Sequence, residues 1–279
     1  MAAATPVAPA PPSGPRPTPA ATASPPTPPT VAPPLSGTLR LIGTSRVPSV
    51  RTLDWVARGF TKVAGDVEVG TGNVTGSMAV GGKLVARQLD LSGSHRIDGE
   101  VRLSEDLRTR GTFRTGDGVS ARSAQLTGTV EIGGTLTVAE LLRWNGSLEV
   151  GHDVRADTVL FQGRLAIKGT LTAQSISGEV ESLSSVDAIE ADWVEIRRRK
   201  PRFAIFLLPP PPWHELEVQR IEAKEVHLAG VRVHRLKADR VFLGPDTHVE
   251  YVEGQVVQRH KDAHVGPESE SPPPPGLSR

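Results

Sequence analysis

Between residues 59 and 169 apolar and polar positions alternate in a rhythm that restarts about every seventeen residues. Glycine marks each restart, at Gly59, Gly76, Gly93, Gly111, Gly128, Gly146 and Gly163, with successive spacings of 17, 17, 18, 17, 18 and 17. Six residues after each of these stands Gly65, Gly82, Gly99, Asp117, Gly134, His152 or Gly169. In a strand every second side chain faces the same way, so the positions two and four after each marker define one face. The pairs so defined include Val130/Ile132, Leu148/Val150 and Leu165/Ile167 after the first markers, and Val67/Val69 and Leu136/Val138 after the second. A third set, four and two residues before the next marker, includes Leu89/Leu91 and Leu142/Trp144. Of 40 inward positions predicted in this way, only Thr61, Gly72, His95, Thr109 and Thr115 are not apolar. The residues between them are mainly charged or hydroxylic, as at Glu131, Thr137, Glu149 and Arg155.

A period of 17–18 residues is too short for a propeller blade, and it holds no helical stretch of the kind a leucine-rich repeat needs. It fits one coil of a β-helix built from three short strands. The glycines fall at the corners, where a positive φ or a close approach of neighbouring chains excludes a side chain. The predicted fold is therefore all-β, a β-solenoid with three strands per coil.

Downstream the rhythm tightens. One eight-residue pattern occurs three times, at Ile189–Ile196, Ile221–Leu228 and Leu236–Leu243, and the last two copies are 15 residues apart. The boundaries that follow are a tail over 1–35, a main β-helix over 36–196, an insert over 197–213, further coils over 214–258 and a second tail over 259–279. Residues 1–34 hold 13 prolines and a single charge, at Arg16. Such a segment buries too little apolar surface to offset its ordering entropy, so disorder is expected there and in the proline-rich end of the chain. Each tail reads either as a docking arm for protein partners or as a solubilising spacer.

Composition removes several chemistries. The chain has no cysteine, so no disulfide, thiolate metal site or thiol nucleophile can form. Its 32 Lys and Arg balance 31 Asp and Glu, which is not the signature of a nucleic-acid binder. The longest apolar run, Phe203–Leu208, falls far short of the roughly 20 residues of a membrane span. The first residues lack the basic and apolar regions of a secretory signal, so a cytoplasmic location is expected.

The glycine–apolar repeat, followed by the Ile-x-Ala-x-x-Val-x-Ile type of coil, resembles the bactofilins, the polymer-forming cytoskeletal proteins. The likeness spans roughly residues 40–258 and is nearest to longer members with a separate C-terminal segment, matched here by residues 185–196 and 216–254. The resemblance implies a right-handed triangular β-helix that polymerises end to end into nucleotide-independent filaments. It also implies a scaffold at the membrane or cell envelope, a partner in further copies of itself, no cofactor and no catalytic residue. Two features depart from the family pattern: the insert at 197–213 and the tightened C-terminal coils, which could cap one end.

An enzyme of the hexapeptide-repeat acyltransferase type is the rival reading, with a monomeric scaffold recruiting partners through its tails as a third. Only two corners per coil carry the six-residue beat of the acyltransferases, and Val150–Arg155 is nearly alone in matching their form. His95 and His152 stand 57 residues apart, about three coils, too far to share a metal. His95 falls on an inward slot and reads as a hydrogen-bonded core histidine. His227 and His234 fall on outward slots and read as solvated. Gly116-Asp117-Gly118 suggests a calcium turn, but one copy without a repeated acidic pattern is a weak signal. The segment singled out for contact with an anionic membrane or a partner is the insert, through Arg197, Arg198, Arg199, Lys200, Arg202, Phe203, Phe206 and Trp213. Its alternative is a strand packed on the solenoid with the basic residues merely solvated.

Overall fold

A computed structural model describes residues 35–199 and 216–266. Its seventeen strands run from Thr38–Val47 to His264–Val265, with no helix among the described residues and thus none able to cross a membrane. Every pairing is parallel and joins one coil to the next. The strand Val67–Val80, for example, pairs with Leu84–Ile97 at a constant offset of 17 residues. The result is a β-solenoid of about twelve coils.

The registers reproduce the alternation residue for residue. All 40 inward positions point to the interior, and all but Ala156, which is half-buried, are fully buried. The eighteenth residue of the longer coils is taken up at one corner, at Ser104–Glu105 and Ala139–Glu140, where bends replace strand. Local insertions there leave the faces on either side undisturbed.

The two glycine rows serve different purposes. In the first row φ is positive at every member, from +107° at Gly59 to +128° at Gly163, and each glycine lies over the one before. A Cβ on Gly111 would stand 2.2 Å from the Gly93 carbonyl oxygen, so the corner is closed to side chains both by strain and by contact. The second row has no positive φ, which is why Asp117 and His152 can stand in it. The first row also extends one coil further toward the N-terminus than the seventeen-residue rhythm indicates, because Gly43 pairs with Gly59 at an offset of 16.

Bulky and small residues complement each other along the axis. Trp55 is fully buried, and the residue stacked on it is Gly72, where a Cβ would come within 2.6 Å of Leu89 Cδ1. Trp144 stacks on Phe161 with centroids 4.7 Å apart, and Gly178 leaves room for the Phe161 ring. The exceptions among the inward residues are partly accommodated by the backbone: Thr115 Oγ1 donates to the Gly99 carbonyl at 2.9 Å. Outward rows form charge ladders one coil apart, such as Arg51–Glu68, Arg114–Glu131 and Arg122–Glu140. Exposed pairs of this kind contribute roughly 0–1 kcal/mol each.

The eight-residue patterns stack as the sequence aligns them, Ile189 on Ile221 on Leu236 and Val194 on Val226 on Val241. Two boundaries move. Arg197 and Arg198 close the strand Ser184–Arg198 rather than opening the insert. At the other end Ala263 is buried and His264 pairs with His248, so residues 259–266 belong to a last coil and not to a tail.

Candidate interaction surfaces

The described residues that flank the insert, Arg199 and Leu216, lie close to the corner that carries the glycine row. Arg199 binds Val180 beside Glu181, whose N–H donates to the Gly163 carbonyl, and Leu216 pairs with Ser184. The insert's described basic residues are held by the coils. Arg197 pairs with Glu195, two positions back on the same strand face. Arg199 donates its backbone N–H to the Val180 carbonyl at 2.9 Å and its guanidinium to Glu181. Glu181 also accepts from Gln162 Nε2 at 2.9 Å, and these two contacts, Gln162 first, hold its carboxyl below the usual range. The stem of Arg198 lies against Gly230, whose Cβ would be 2.5 Å from that of Arg198, and Gly230 turns there with a φ of +71°. Lys200, Arg202, Phe203, Phe206 and Trp213 lie outside the described residues.

Beside this corner the outward face carries an aromatic ladder. His227 stacks on Phe242 with centroids 4.2 Å apart and planes 5° from parallel, and Trp193 leans on His227 at 6.1 Å. Glu225 accepts from His227 Nε2 at 2.7 Å and also pairs with Arg240, so its carboxyl is held low, chiefly by the His227 bond. One coil on, His234 bridges Glu217 and Glu250 at 2.9 and 3.0 Å, which raises its pKa above the ordinary histidine value, Glu217 contributing most. Both outward histidines are therefore bonded rather than simply solvated. For His234 sequence alone hides this, because its partners are 17 and 16 residues away and meet it only through the register, whereas Glu225 stands two residues before His227 on the same strand.

His95 is inward and 2 % exposed, but it is not the hydrogen-bonded core histidine expected. Neither ring nitrogen makes a hydrogen bond of good geometry among the described residues. It lies in a column between Met78 and Phe113. Burial pushes its pKa down, with the Ser92 backbone opposing. The Asp117 turn is closed internally, since Asp117 Oδ1 accepts from the Gly118 N–H at 2.8 Å. Among the described residues no group of three or more acidic or histidine side chains is placed to hold a metal ion.

A basic cluster that the sequence reading passes over lies on the first two coils. Their register sets Ile42 beside Arg58, Thr44 beside Phe60 and Arg46 beside Lys62, around the Gly43–Gly59 corner, with Arg40 two positions before Ile42. Arg40, Arg46, Arg58 and Lys62 are exposed and have no carboxylate partner among the described residues. Ile42 is 79 % exposed and Phe60 41 %. The signal in the sequence was Gly43, sixteen residues before Gly59, which places Arg40 to Arg46 on a coil of its own. Compared with family models, curated proteins and solved structures, the chain matches none.

Proposed function

We propose that this chain is a self-assembling structural protein of the bactofilin kind, whose solenoids stack end to end without a nucleotide. The observation that carries this reading is the state of the two end coils. Leu39, Leu41 and Val47 face inward yet are only partly buried, whereas Trp55, Ala57 and Val63 directly beneath them are no more than 1 % exposed. At the other end Val256 and Val265 are likewise only partly covered. Among the described residues each end thus presents the cross-section of an apolar core bordered by a strand edge with no further strand paired to it, a template for a further coil. Along the sides, many outward charges pair within the chain and the faces carry both signs, which disfavours lateral fusion.

Electron microscopy and sedimentation of purified protein test this directly. Filaments should form in EDTA without ATP or GTP, and Leu39→Glu with Leu41→Glu should shift the protein toward small species while its circular dichroism stays that of β-structure. A wild-type protein that remains monomeric across salt and concentration would refute the reading.

A further inference from the structure

Many cations on the outward rows of this solenoid meet a carboxylate close by. Arg51 meets Glu68 and Arg114 meets Glu131. Arg96 and Arg114 are neighbours in the ladder, but Arg96 has its own carboxylate, Asp98. The glycine corner of the first two coils gathers four cations that do not. Arg46 and Lys62 are register partners of like charge, and Arg40 and Arg58 add two more cations, none with a carboxylate partner among the described residues. The next coil offers no relief, since the residues stacked on Val56, Arg58, Phe60 and Lys62 are Asn73, Thr75, Ser77 and Ala79. The acid in the row of Arg40 is Asp90, three coils on and about 14 Å away at the usual strand spacing, beyond a Debye length at ordinary ionic strength. Asp54, two positions before Val56, accepts from Thr71 Oγ1 at 2.5 Å. Like charges facing each other across strands are unfavourable, and an anionic surface laid against them removes that cost.

The apolar residues at the centre narrow the choice of partner. Ile42, at 79 % exposure, and Phe60, at 41 %, project from the corner among the four cations. An aliphatic tip beside a ring, rimmed by long basic side chains, suits the boundary between lipid headgroups and acyl chains. A nucleic acid is matched by a basic stripe that follows successive phosphates, whereas here the cations are confined to two adjacent coils. We propose that the Gly43–Gly59 corner, with Arg40, Arg46, Arg58 and Lys62 around Ile42 and Phe60, docks on an anionic lipid bilayer. This surface is separate from the insert at 197–213, and the proposal holds whether or not the chain assembles. Each cation brought to an anionic membrane is worth about fivefold in partitioning, so the four together supply a factor of several hundred.

Vesicle flotation tests this without interference from filaments that pellet by themselves. Full-length protein should float with vesicles of phosphatidylcholine and phosphatidylserine (roughly three to one) and stay behind with phosphatidylcholine alone. Replacing Arg40, Arg46, Arg58 and Lys62 together by Gln should lower partitioning on the anionic vesicles by at least about a hundredfold, with electron microscopy and the melting temperature unchanged. Ile42→Ser with Phe60→Ser should lower it by a smaller factor, and raising salt from about 0.1 to about 1 M should release the wild type. The insert variant with Arg197, Arg198, Arg199, Lys200 and Arg202 changed to Gln should still float. The proposal is overturned if the four-Gln protein floats like wild type, if only the insert variant loses binding, or if wild type ignores anionic vesicles. Binding of a labelled oligonucleotide by wild type, lost in the four-Gln protein and without flotation, would assign the corner to nucleic acid instead. Should the four-Gln protein fail to fold, the serine pair and the salt titration of wild type decide the matter on the same criteria.

Discussion

Replacing His95 by Met should stabilise this protein, although it removes a side chain from the middle of the core. His95 lies at 2 % exposure with both ring nitrogens lacking a well-formed hydrogen bond. A buried polar group left in that state costs roughly 1–3 kcal/mol. Met is unbranched and similar in volume, and the column already places Met78 one coil below and Phe113 one coil above. The net gain at neutral pH should therefore be about 1–3 kcal/mol, reduced by any repacking strain. Titration adds a second signature. Burial lowers the pKa of His95 below its value in the unfolded chain, so on acidification the unfolded state takes up the proton first. This contribution to stability is present above the unfolded pKa of about 6.5 and is lost as pH falls through the folded pKa, at up to about 1.4 kcal/mol per unit. The advantage of Met should consequently widen between about pH 7 and pH 5. Urea denaturation of both proteins across that range, followed by circular dichroism, measures it. A Met variant less stable than wild type at pH 7, or a difference that does not grow toward pH 5, would falsify the claim that His95 is held neutral in the core without a well-formed hydrogen bond.

Three further expectations follow from the same coils. Gly111→Ala should cost several kcal/mol, because its Cβ meets the Gly93 carbonyl oxygen at 2.2 Å with φ at +115°, whereas Gly43→Ala meets nothing within 4 Å and bears only the φ strain; paired thermal melts compare them. Val130→Asp places an unpaired carboxylate at a site 2 % exposed, at several kcal/mol. Glu131→Lys gives up only the exposed pair with Arg114, and equal destabilisation by the two changes would show the register to be wrong by one residue. His234→Gln should loosen the strands Leu216–Ala229, Val231–Leu243 and His248–Arg259 below about pH 6.5, where the bridged imidazolium is fully formed, and the difference from wild type should fade as pH rises through its raised pKa. Hydrogen exchange of those strands at two pH values measures it.

The fold was legible because each of its requirements falls on a residue type that little else explains. Only glycine tolerates the positive φ at Gly76 or Gly128, and the inward slots leave an apolar–polar beat that a one-residue slip would destroy. The surfaces were harder to read. Arg197 to Arg199 look like a free basic cluster when written in a line, yet Glu195 and Glu181 take up Arg197 and Arg199 once the coils are wound. Arg40, Arg46, Arg58 and Lys62 are scattered in the sequence and become one patch only through the pairing of Gly43 with Gly59. Residue type reports the local backbone, whereas charge balance is a property of neighbours one coil away. For His95 the alternation gives the direction of the side chain, but whether a carbonyl is aimed at its ring depends on atomic geometry that no spacing encodes.

The constant offset between paired strands also has a temporal meaning. Each new coil has only to close a segment of 15–19 residues onto a finished edge, and apart from the insert the offset changes little along the stack. Closure entropy is therefore nearly the same at every step, and the stability of the stack is approximately a sum over adjacent coils. The chain can wind as it leaves the ribosome, each coil serving as the template for the next. The coil bearing Leu39 and Leu41 is finished first, so a surface able to meet another molecule exists before synthesis of the same chain is complete.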